Sequence, residues 1–99
     1  MTLESRLAAG NRAKHILEDE VFTGAFDATE AEVIEQWKNS PARDQAGRES
    51  LWQYLQILRK VKANLIQTMD TGKLAALDLQ HQQTVQDRLR SAWDGLRSA

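Results

Sequence analysis

Between Arg43 and Met69 apolar residues recur at three- and four-residue steps: Leu51 and Trp52, then Leu55, Leu58, Val61, Leu65 and Met69. That spacing predicts one long amphipathic helix over about 43–70. At 1.5 Å per residue it spans roughly 40 Å, more than the width of a compact domain of this length, so its stripe needs partner helices along all of it. Upstream, Phe22, Phe26, Thr29, Val33 and Trp37 fall at steps of three and four and predict a second helix ending near Lys38. Gly24 interrupts that pattern at a cost of about 1 kcal/mol relative to alanine. Leu3, Leu7, Ile16 and Leu17 do not extend the Phe22 face in phase, which sets a break at Glu18–Glu20 and a separate short N-terminal helix over 3–18. A last helix is predicted from Leu74, Leu77, His81, Val85, Leu89, Ala92, Trp93 and Leu96, interrupted by the polar stretch Gln80–Thr84.

The punctuation between these stretches is equally local. Asn39-Ser40-Pro41 is a clear stop, because the residue before a proline is pushed out of helical geometry. Asp44 can cap the long helix; alternatively Ser40 caps it, with Pro41 at the first helical position. Thr71-Gly72 is expected to end it, with the glycine in a left-handed turn and Lys73 at the negative end of the helix dipole. Short connections make successive helices antiparallel neighbours. The expected fold is all-α: one domain over 1–99, an antiparallel bundle or hairpin of three to four helices around a long central one. No repeat, low-complexity linker or β-alternation competes with it.

Composition narrows the chemistry. Apolar residues make up 41% and charged residues 27%, the balance of a chain that folds. No uncharged stretch approaches the roughly 20 apolar residues of a membrane span, and Met1–Gly10, with Glu4 and Arg6, lacks the apolar block of a signal peptide. The absence of cysteine removes disulfides, thiolate metal sites and thiol nucleophiles together. The two histidines each have one carboxylate at helical spacing, His15 with Asp19 and His81 with Asp78, too few ligands for a metal site. Nothing separates a buried acid from an exposed base among Glu18, Asp19, Glu20, Glu30, Glu32 and Glu35. No catalytic residue, metal or cofactor is expected.

A net charge of −1 conceals an acidic stretch over 18–38 and a basic one over 39–73. Arg59, Lys60 and Lys62, with Arg48 and Lys73 further along, are the candidate nucleic-acid stripe. Counterion release needs an unopposed patch, and the acidic stretch is the expected neighbour, so DNA ranks below intramolecular pairing. Trp37 and Trp52 should meet near the Ser40–Asp44 turn. Trp93 stands where one chain has least to cover it, so Leu89, Trp93 and Leu96 are the candidate interface to a second copy or another protein.

Trp37-Lys38-Asn39-Ser40-Pro41, followed by Asp44, Arg48-Glu49 and Leu51-Trp52, resembles a group of small, mostly uncharacterised helical proteins encoded by tailed bacteriophages. Arg12-Ala13-Lys14, Ile16-Leu17-Glu18 and Phe22 through Phe26 are similar to that group as well, so the likeness covers roughly residues 12–73. A proline common in the group near the place of Glu20 is missing here. The resemblance implies a helical homo-oligomer or a partner of a larger phage protein, working in virion assembly or DNA packaging. It implies a location in the host cytoplasm during infection or in the virion, and carries no catalytic residue across. Two alternatives are a small terminase-like DNA-binding protein and an acidic host-directed inhibitor that binds a bacterial protein.

Overall fold

Gly72 does not end a helix. In the computed structural model, which describes residues 1–98, the third helix runs without a break from Gln45 to Ser98, 54 residues. No residue has a positive φ among those described. Before it come α1, Leu3–Glu18, and α2, Glu20–Asn39, so the chain is all-α with three helices (α3 being the last) and no strand among the described residues. The expected reversal at Thr71-Gly72 and the separate fourth helix are thereby corrected. The polar run Gln80–Thr84 is helical too; glutamine is a good helix former, and the Thr84 hydroxyl donates back to the Gln80 carbonyl at 2.9 Å.

The caps explain the other boundaries. Thr2 accepts from the Ser5 amide at 3.0 Å and starts α1. Asp19 has extended geometry (φ −73°, ψ 116°), which stops α1, and its carboxylate accepts from the Val21 and Phe22 amides at 2.8 and 3.0 Å, which starts α2. The carboxylate set beside His15 in the sequence is therefore a helix cap. Asp44 caps α3, accepting from Gly47 at 3.1 Å, whereas Ser40 closes α2.

Helices α2 and α3 form an antiparallel hairpin, with Trp37 near Arg48, Glu30 near Arg59 and Phe26 near Lys62. At the closed end the Arg48 guanidinium lies 4.4 Å from the Trp37 ring centroid. Its Nη1 donates to the Trp37 carbonyl (3.1 Å), the Ser40 carbonyl (3.1 Å) and the Ser40 hydroxyl (3.0 Å). Lysine offers a point charge without the planar fork, so Arg48→Lys should destabilise the hairpin by about 1–2 kcal/mol in urea denaturation; an unchanged midpoint would show that the clamp does not form in solution.

Helix α1 packs further along α3, where the backbones nearly touch. A Cβ added to Gly72 would lie 2.6 Å from the Gly10 Cα, and the reverse is also 2.6 Å. Glycine is needed here for close approach. Ala13 and Ala75, at 3% and 2% exposure, are the buried apolar side chains, and α2 has no buried residue. The expected bundle is instead a rod 85 × 25 × 17 Å with a radius of gyration of 23.2 Å, against about 13 Å for a compact chain of this size.

Candidate interaction surface

Contact with α1 and α2 leaves α3 only partly covered. The last half-buried residue on it is Leu79, and every residue from Gln80 to Ser98 is exposed. At 100° per residue, Leu74, Val85, Leu89 and Leu96 fall within roughly 60° of one another around the helix, about 120° away from Gly72. The stripe from Leu74 to Leu96 is thus roughly 33 Å long and turned away from Gly72, while Ala75, which α1 buries, lies about 40° from Leu89 and at the angle of Trp93. Leu89, Trp93 and Leu96, the interface candidates, stand together on it at 66%, 61% and 74% exposure. Of its charged residues, Asp87, Arg90, Asp94 and Arg97 lie off the line through Val85, Leu89, Ala92 and Leu96, Arg88 borders it, and Asp78 stands on it between Leu74 and Val85, so the unbroken apolar part is Val85 to Leu96.

A second exposed apolar cluster, Tyr54, Ile57 and Val61, lies on the hairpin half of α3. The sequence pattern had placed Val61 on the inner stripe and left Tyr54 and Ile57 unassigned; the finer signal was their three- and four-residue spacing beside that stripe. Trp37 and Trp52 do come together near the turn, lining an apolar hollow of about 250 Å³ with Val33, Ile34, Leu51 and Leu55. Both indoles remain well exposed. The α2–α3 seam is therefore loosely filled, in contrast to the glycine contact under α1.

The basic candidates separate. Arg59 pairs with Glu30 at 3.3 Å, across from the acidic helix, and the Lys62 ammonium lies 5.8 Å from the Phe26 ring centroid. Lys60 is exposed. An arginine already paired offers less of the unopposed charge that binding to phosphates requires. Replacing Arg59 and Lys62 together by Glu should leave self-association unchanged in sedimentation equilibrium and cost the hairpin about 1–2 kcal/mol. Loss of a salt-sensitive complex with duplex DNA in the same variant would reverse this ranking.

No group of three or more His, Cys, Asp or Glu that could hold a metal gathers among the described residues. His15 and His81 are both exposed. No helix among those described is long and apolar enough to cross a membrane. Comparison with family models, with curated proteins and with solved structures finds no match to this chain.

Proposed function

We propose that this is a non-enzymatic helical assembly protein whose working form is an oligomer of the chain, using the Leu89–Trp93–Leu96 surface. The observation that carries this is the near absence of a core. A compact monomer of 11.2 kDa exposes roughly 5,700 Å². The chain exposes 7954 Å², an excess of roughly 2,200 Å². Standard interfaces bury roughly 800 Å² per partner and obligate homodimers more, so the excess is of the size that assembly removes. Against the conformational entropy of ordering a rod of this length, two fully buried alanines and a row of half-buried side chains such as Leu51, Leu58 and Leu65 leave a small reserve that further burial would enlarge. A place in phage particle assembly or DNA packaging, the setting the resemblance implies, suits such a module.

Light scattering at low and high salt, with and without duplex DNA, tests this directly. The expected result is a species heavier than 11.2 kDa whose mass is indifferent to salt and DNA. A folded monomer at all concentrations would reject self-assembly and favour a host-protein partner. A salt-sensitive complex with DNA would favour packaging recognition instead.

A further inference from the structure

Val85, Leu89, Ala92 and Leu96 are spaced four, three and four residues apart, and Tyr54, Ile57 and Val61 three and four apart. Whole heptads separate the two clusters: Tyr54 to Leu89, Ile57 to Ala92 and Val61 to Leu96 are each five heptads. Both clusters thus sit at core-type positions of a single frame and neither is covered within the chain; the position that matches Val85 is the exposed Ser50. A second seam one face round, Leu51, Leu58, Leu65, Gly72 and Leu79, is the one used internally.

The geometry points to a head-to-tail contact, in which the Val85–Leu96 stripe of one copy docks on Tyr54, Ile57 and Val61 of the next, the two α3 helices running parallel. This rests on the self-association proposed above and adds which surfaces meet. Two features select it. Antiparallel pairing of the same clusters would bring the two α3 helices together side by side near Gly72. There Ala75, a core-type position of that frame, is already buried beneath α1. A parallel stagger of five heptads, about 52 Å, avoids this. Gln80, where the uncovered part of the tail begins, then stands beside Gln45, the first residue of the neighbour's α3, and Leu96 reaches Val61, short of Thr68 where α1 sits. Apolar meets apolar in three of the four pairs, Leu89 on Tyr54, Ala92 on Ile57 and Leu96 on Val61, with Val85 on Ser50 at the edge. The charges of the tail, Asp87, Arg88, Arg90, Asp94 and Arg97, fall outside these positions.

A contact between two different patches does not close on itself unless its rotation returns to the start. The wild-type chain should therefore grow in mass with concentration. Complementary variants test the arrangement. Ile57→Arg/Val61→Arg removes the receiving face and Leu89→Arg/Leu96→Arg the docking face; each alone should be monomeric by light scattering, with wild-type helix content. Mixed, they should form a one-to-one complex of two 11.2 kDa chains, because each retains the half the other lacks. If Ile57→Arg/Val61→Arg loses helix, Tyr54→Lys at the rim of the same face gives the same test. Association of the receiving-face variants like the wild type would overturn the head-to-tail contact in favour of tail-to-tail pairing, and leave self-assembly standing. A wild-type chain that stays monomeric overturns both.

Discussion

Trp93→Ala should lower the proposed assembly state while helix content stays near wild type. The indole is 61% exposed in one chain and lies beyond Leu79, the last half-buried residue of α3. Covering an indole in an interface typically removes about 150–250 Å² from water, which at about 25 cal/mol per Å² corresponds to roughly 4–6 kcal/mol gross, before ordering and desolvation are subtracted. Hot-spot truncations retain about 2–4 kcal/mol of such gross values, so the dissociation constant should rise by roughly 30- to 1,000-fold. Sedimentation equilibrium gives the constant and circular dichroism the helix content. Loss of helix at concentrations where the wild type is already dissociated would show that Trp93 belongs to the monomer core, contrary to its exposure.

Gly72→Leu detaches α1. The new side chain meets backbone atoms of Gly10, which cannot rotate away as a flexible side chain could, so the helices must separate. Overpacking of this kind typically costs about 1–3 kcal/mol, against a gain of up to about 1 kcal/mol from replacing a helical glycine. Gly24 is the control. A Cβ there meets nothing within 4 Å, so Gly24→Ala should stabilise by about 0.5–1 kcal/mol. Denaturation of the two variants side by side should move in opposite directions. If Gly72→Ala raised stability as Gly24→Ala does, the two backbones would not be in contact in solution.

The elements legible in the sequence were those set by nearest neighbours. Asn39-Ser40-Pro41 stops α2 because proline constrains the residue before it, and Asp44 caps α3 through its own side chain. The Glu18–Glu20 region shows the opposite limit: the phase change marked where the chain bends, but the capping by Asp19 was not read. Gly72 misled for a physical reason. A glycine can end a helix by taking a positive φ or hold two helices together by lacking a Cβ, and its neighbours Thr71 and Lys73 fit either use. The deciding partner, Gly10, lies far off in sequence. The exposure of Leu89, Trp93 and Leu96 was legible as a set, because the helix-forming stretches able to pair with α3 all lie upstream of it. Tyr54 and Ile57 were not, because the packed stripe beside them dominates the periodicity.

A rod whose fully buried apolar side chains are Ala13 and Ala75 would, on the proposed self-association, couple its stability to how much of it is present. When a neighbour supplies the missing burial, each tenfold rise in concentration adds about 1.4 kcal/mol to the folded, associated form. The thermal midpoint should then climb with concentration, while dilution should part the copies and leave each with its helices. In a cell that accumulates such a chain, the assembled form would arrive late, timed by synthesis and needing no separate trigger.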